Sequence, residues 1–222
     1  MRTFTFAALA LAFASTLAAT NIVTVSNAGA DAPGTATIAS NGPLAVSWTT
    51  PAQGFTNVTI QAAIGFHTDA GGSSSIAAFL TTSLGPGTTQ AADEVAATGT
   101  IVAQNVTPAN GVAAPLFTFF TGLTLDPSTT YYLSLFPVSG GTSSWDFNPF
   151  TTSTDVGTTL NPVFLRAPAV DGVYAPASEF TNQTFGLGYF SVTGDASAIP
   201  EPATVALVAA GLLGITLRRR RV

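Results

Sequence analysis

The feature that most constrains the fold of this chain is a two-residue rhythm that is repeatedly cut by turn residues. Residues 58–66 open as Val58-Thr59-Ile60-Gln61, and 44–49, 100–106, 131–136 and 185–192 alternate apolar and polar for part of their length. Shorter apolar runs at 76–80 and 116–120 lie between them. Side chains of a strand point alternately to its two faces, so such runs, rich in Thr, Val, Ile and Phe, are strands with one buried face. Asn41-Gly42-Pro43, Asp69-Ala70-Gly71-Gly72, Gly85-Pro86-Gly87, Asn110-Gly111, Asp126-Pro127-Ser128 and Ser139-Gly140-Gly141 separate them. No long segment in the body carries the 3.6-residue period of an amphipathic helix, and Asp93-Glu94-Val95-Ala96-Ala97 is the one predicted helical turn. The pattern therefore predicts an all-β fold, an antiparallel β-sandwich or jelly roll, over residues 20–194. Between Asp146 and Gln183, prolines interrupt every apolar run. That stretch reads as irregular loop with one or two short strands, such as 162–165, and residues 195–202 read as a linker.

Charge narrows the function. Charged residues make up 8% of the chain, against roughly 25% in an ordinary soluble domain. Between Thr20 and Ala198 there are ten acidic side chains and one basic one, Arg166. Such a body cannot neutralise a row of phosphates, which excludes nucleic acid as a partner. With 46% apolar residues and 16 Phe, the chain can bury a core, so its solubility rests on Thr, Ser, Asn and Gly. There is no cysteine. Disulfides, thiolate metal sites and cysteine nucleophiles are thereby excluded.

The two ends have a different character. Met1-Arg2-Thr3 precedes an apolar stretch of 14 residues, 4–17, and small residues at Ala18 and Ala19. This is the layout of a signal peptide, predicted to occupy residues 1–19 and to direct export. At the other end, Pro200-Glu201-Pro202 leads into 15 uncharged, mostly apolar residues, 203–217, followed by Arg218, Arg219, Arg220 and Arg221. As a helix that run rises about 22 Å, short of the roughly 30 Å of a hydrocarbon core, so it predicts a marginal transmembrane helix. Proline is tolerated only in a helix's first turn, so the helix begins near Pro202. The arginines, in residues 218–222, predict a cytoplasmic end by the positive-inside rule.

Taken in order, Pro200-Glu201-Pro202, the Leu- and small-residue-rich span with Gly211 and Gly214, and the arginine block resemble the PEP-CTERM sorting signal. The resemblance covers about 24 residues. It implies an exported protein of a Gram-negative bacterium, held in the inner membrane and processed near the Pro-Glu-Pro by an exosortase. It also implies a destination in the envelope or extracellular matrix, in contact with exopolysaccharide. On that reading Pro200, Glu201 and Pro202 are substrate positions for another enzyme. The Leu123–Leu133 stretch, with its Asp-Pro-Ser turn, and Phe66-His67-Thr68-Asp69 are similar to exported β-sandwich domains of the choice-of-anchor type.

The body offers little chemistry. His67 is the single histidine, and no Gly-x-Ser-x-Gly elbow accompanies it. One His without Cys makes no usual zinc set. Asp69, Asp146, Asp155 and Asp171 fall in turn-rich sequence without the spacing of a dedicated calcium loop. Asp93 and Glu94 are adjacent and do not flank a sugar as glycosidase carboxylates must. The expectation is a non-enzymatic protein with no cofactor and no metal. The alternative is a carbohydrate-binding module contacting exopolysaccharide, with Trp145, Tyr174 and Tyr189 as candidate stacking residues, and a secreted hydrolase is the third reading, which the lone His and missing motifs disfavour. Trp145 sits in loop-like Ser143-Ser144-Trp145-Asp146. The competing reading makes it a core tryptophan at a strand start, as Trp48 is predicted to be in mid-strand.

Overall fold

The computed structural model describes residues 19–27, 34–38, 42–67, 73–104, 116–139, 142–147, 150–155, 157–162, 164–168, 170, 174–183 and 186–197. The strands in chain order are β1 Thr20–Asn27, β2 Gly34–Ile38, β3 Leu44–Thr49, β4 Phe55–His67, β5 Ser73–Thr81, β6 Glu94–Ala97, β7 Ile101–Gln104 and β8 Leu116–Leu125. They continue as β9 Thr130–Ser139, β10 Thr142–Phe147, β11 Phe150–Thr154, β12 Thr159–Leu160, β13 Leu165–Arg166, β14 Thr181–Asn182 and β15 Phe190–Ala196. Two antiparallel sheets result. The first runs β11-β1-β15-β4-β10-β2, with β8 also on β4, and the second runs β14-β13-β3-β9-β5-β6, with β12 on β3 and β7 on β5. This is the predicted all-β sandwich.

The core lies between the sheets, and the alternation explains why. In the first sheet the inward row Val25, Phe190 and Ala62 is set by register across β1, β15 and β4. In the second, Trp48 stands opposite Tyr131 across β3 and β9, with ring centroids 6.1 Å apart. Trp48 also reaches across the sandwich to Phe190, centroid to centroid 5.7 Å. Both tryptophans are fully buried.

Three local expectations are corrected. The helical turn is α1, Gln90–Asp93, and it ends before Glu94, which opens β6. Thr89 caps the turn by accepting from the Ala92 N–H, and the Asp93 carboxylate accepts from the Thr89 N–H at 2.8 Å. Glu94 then leaves in extended conformation, and pairing with Thr81 on β5 converts the rest to strand. The stretch 146–183 holds more regular structure than its prolines suggested: β10 ends in it, and β11 to β14 lie wholly within it. β10 to β13 pair with segments distant in sequence, and β14 adds onto β13, so the order of the stretch is imposed by tertiary contact. The predicted strand at 162–165 is displaced to Leu165–Arg166, where Leu165 pairs with Ala45. In addition, β15 runs through Ala196, two residues past the expected linker boundary.

Candidate functional site

Three regions bear on function: the junction that leads to the tail, the predicted sugar platform and the outer face of the first sheet.

The tail leaves from the end of the first sheet. Ala196 stands opposite Phe55, and the Ser197 N–H donates to the Gly54 carbonyl at 2.8 Å. Thr20, the first residue of β1, stands opposite Gly194. The start of the body and the exit to the tail are therefore at one end of one sheet. Beside them Asn57 holds a left-handed backbone (φ 51°) at an irregularity in the β4–β8 register, and its amide donates to the Asp195 carboxylate at 2.8 Å. Asn accepts that conformation more readily than most residues.

The same end is stitched by a polar network that the sequence did not reveal. The Asp126 N–H donates to the Tyr131 hydroxyl at 2.7 Å, and the Thr50 hydroxyl donates to the Asp126 carbonyl at 2.6 Å. The Thr129 N–H returns to Thr50 Oγ1 at 3.0 Å, and the Ser128 N–H donates to the Pro51 carbonyl at 2.7 Å. The Asp-Pro-Ser turn is thereby bound to the β3–β4 connection. Burial, ahead of the neighbouring Asp126 charge, pushes the Tyr131 phenol above its ordinary value, so it remains protonated. Tyr131→Phe should leave the Asp126 N–H without its acceptor and cost about 1–3 kcal/mol, read as an earlier urea midpoint with unchanged slope. An unchanged midpoint would show that the turn does not depend on the hydroxyl.

The predicted aromatic platform does not form. Trp145 lies on β10 between Ala36 of β2 and Ile64 of β4, and its exposure is 0%. Its indole N–H donates to the Tyr189 carbonyl at 2.9 Å, and its ring meets Phe164 edge-on at 5.2 Å. Tyr189 is buried as well, at 2%. Tyr174 is half-buried, edge-on to Phe79, and its hydroxyl donates to Glu94 Oε2 at 2.9 Å. Burial, then that hydrogen bond, raises its pKa well above the usual tyrosine value. A sugar stacks on an exposed ring face, which neither Trp145 nor Tyr189 presents. The stacking alternative is therefore corrected for Trp145 and Tyr189: Trp145 is the core tryptophan of the competing reading, Tyr189 packs beside it, and Tyr174 is bound to Glu94.

The other candidates are dispersed. His67 is the last residue of β4, paired with Thr142. Asp146 is on β10, where register sets it opposite Thr35, so it is a strand residue. Asp155 accepts from Gln53 Nε2 at 3.2 Å. Asp69 and Asp171 lie outside the described residues. Among the described residues no three His, Cys, Asp or Glu side chains gather as metal ligands.

Sequence reasoning also missed a row of small polar side chains on the outer face of the first sheet. Register aligns Ser153, Thr24, Ser191, Gln61 and Thr118 across β11, β1, β15, β4 and β8. Thr24 and Ser191 share a hydrogen bond of 3.1 Å, and Gln61 Nε2 donates to Thr118 Oγ1 at 2.8 Å. Asn21 Nδ2 donates to Ser153 Oγ at 3.0 Å and its carbonyl oxygen accepts from the Thr24 hydroxyl at 2.6 Å. Strand spacing sets these groups about 4.8 Å apart, with no charge among them. The available signal was the polar half of each period-two run, but aligning the runs required the register.

Pro200, Glu201, Pro202, Arg218, Arg219, Arg220, Arg221 and the apolar run 203–217 lie outside the described residues. Among the described residues, no helix is long and apolar enough to cross a membrane. In comparison with known families, residues 198–221 match the family model of the PEP-CTERM protein-sorting motif. The chain therefore carries a PEP-CTERM protein-sorting motif in that segment. The motif marks an exported protein whose sorting depends on an exosortase, which processes such tails at the envelope. No curated protein and no solved structure matches the chain significantly.

Proposed function

We propose that this PEP-CTERM protein is a non-enzymatic structural or adhesive component of the cell envelope or extracellular matrix of a Gram-negative bacterium. Its signal peptide exports it, its C-terminal helix holds the precursor in the inner membrane, and cleavage near Pro200-Glu201-Pro202 passes the sandwich outward. Both ends of the body lie at one end of the first sheet. A membrane tether at the tail would therefore leave the opposite end, with the β4–β10 pairing at His67 and Thr142, directed away from the bilayer.

The observation that carries the adhesive part is the uncharged row Ser153–Thr24–Ser191–Gln61–Thr118. Ser153 and Thr118 are exposed and Thr24 half-buried, and their hydroxyls keep acceptor capacity beyond the bonds they already make, while Ser191 is buried within the row. An ion-free array suits exopolysaccharide hydroxyls, whereas an acidic body would repel polyanions. The test places a charge on that face. Thr118→Glu, at an exposed position, should lower retention of the exported protein by extracted matrix polysaccharide several-fold while leaving tail processing unchanged. Equal retention of variant and wild type would remove the adhesive reading. Release of reducing ends from that polysaccharide by the wild type would replace it with a hydrolase.

A further inference from the structure

Sheet edges display unpaired N–H and C=O groups, and most proteins blunt them with charge, proline, bulges or short length. The edges here can be compared directly. In the second sheet, β14 has two residues, and β6 opens on the carboxylate of Glu94. In the first, β8 meets β4 through three register irregularities. Three further edges are not blunted in these ways: β2 on β10 and the short β7 on β5 are unbroken, and β11 pairs with β1 in one unbroken register, from Val23 opposite Thr154 to Asn27 opposite Phe150. Its sequence, Phe-Thr-Thr-Ser-Thr, contains no charge and no proline. Thr152, Ser153 and Thr154 are all exposed. Successive residues point to opposite faces, so three exposed in a row means that neither face is covered over Thr152–Thr154.

The phase of the ladder shows what β11 offers. The Asp155 N–H donates to the Ile22 carbonyl at 3.0 Å. Hydrogen-bonded and non-bonded pairs alternate in an antiparallel ladder. Thr24/Ser153 is therefore a bonded pair with β1, and the N–H and C=O groups of Thr152 and Thr154 point out of the sheet.

We propose that β11 is a self-association edge, taken by β11 of a second copy of this chain in antiparallel register about Ser153. Thr152 of one copy then bonds Thr154 of the other, and the two Ser153 residues face each other as a non-bonded pair. A strand centred on its own middle residue is self-complementary, as a two-fold interface requires. Thr–Thr pairs across such a ladder are favourable. Asp155 lies two residues from the axis, so the two Asp155 carboxylates fall at opposite ends and do not oppose each other. The interface also joins two uncharged rows end to end through their Ser153 members. It does not depend on what those rows bind.

The absence of native cysteine gives a clean test. A non-bonded antiparallel pair has Cα atoms about 4.5 Å apart, within disulfide range. In the full chain purified in detergent, Ser153→Cys should air-oxidise to a reducible dimer at least tenfold faster than Thr118→Cys, an exposed control on β8. Thr152→Pro removes an outward N–H and spares the bonds to β1. Added to Ser153→Cys, it should return cross-linking to the control rate. Should that proline variant not fold, Thr154→Lys at the same edge should have the same effect. Equal rates for Ser153→Cys and Thr118→Cys would overturn the proposal, since association through the tail alone would cross-link both alike. A rate insensitive to both edge variants would overturn it as well.

Discussion

Trp145→Ala should destabilise the body by about 3–5 kcal/mol, the range for truncating a buried tryptophan. For a domain of this size that is a fall in melting temperature of about 6–20 °C. The loss comes from packing. The indole is fully buried against Phe164, and Gly188 approaches so closely that a Cβ there would lie 2.6 Å from the indole ring and from Phe164. The site has been filled to the point of requiring glycine, and a cavity in such a place relaxes little. The hydrogen bond adds less, because the Tyr189 carbonyl that accepts the indole N–H also accepts from the Ala63 N–H at 3.0 Å and keeps that partner when the indole is gone. Trp145→Phe should therefore cost only a fraction of the alanine penalty. A melting temperature for Trp145→Ala within about 2 °C of wild type would mean that the indole does not fill the core. That outcome would return Trp145 to the surface and revive the sugar-stacking reading.

The contrast between Trp48 and Trp145 shows how much of the fold the sequence carries. Leu44–Thr49 is a strand in its own right by composition, and Trp48 is where its alternation predicts. Trp145 sits among Ser and Asp, a context that locally favours turns, and it is a strand residue because β4 and β2 flank it. The same holds for β11: Thr-Thr-Ser-Thr has no apolar phase, so nothing in the stretch itself marks a strand until Thr20–Asn27 pairs with it. Tyr189 was misplaced for a further reason. Leu187 and Tyr189 are buried, yet so are Phe190 and Val192. The inward phase slips by one residue where β15 begins, and a slip of one exchanges the two faces. Strands that alternate within themselves were legible, whereas those ordered by a distant partner were not. The polar row across the first sheet belongs to the second kind, because it exists only once five strands are in register.

The sorting signal was legible for the opposite reason: its three parts follow one another in the chain and need no tertiary contact to be brought together. The largest functional effect should therefore follow from the smallest local change. Replacing Pro200, Glu201 and Pro202 with alanine leaves the body's described strands intact, since β15 ends at Ala196 and Ser197 is held on Gly54. The replacement does change what a protease meets. Proline lacks the N–H that a helix interior needs and biases the residue before it away from helix, and Glu201 supplies the one charge between Asp195 and Arg218. Alanines remove both the proline constraint and the carboxylate. In a host with its exosortase, the variant should accumulate as membrane-bound precursor, with released protein reduced by at least an order of magnitude and the thermal unfolding of the body unchanged. Glu201→Gln, which keeps both prolines, separates the two contributions: processing near the wild-type level assigns recognition to backbone shape, and loss equal to that of the triple variant assigns it to the carboxylate. Normal release of the triple variant would mean that the tail is cut without reference to these three residues, which would sink the role given to them here.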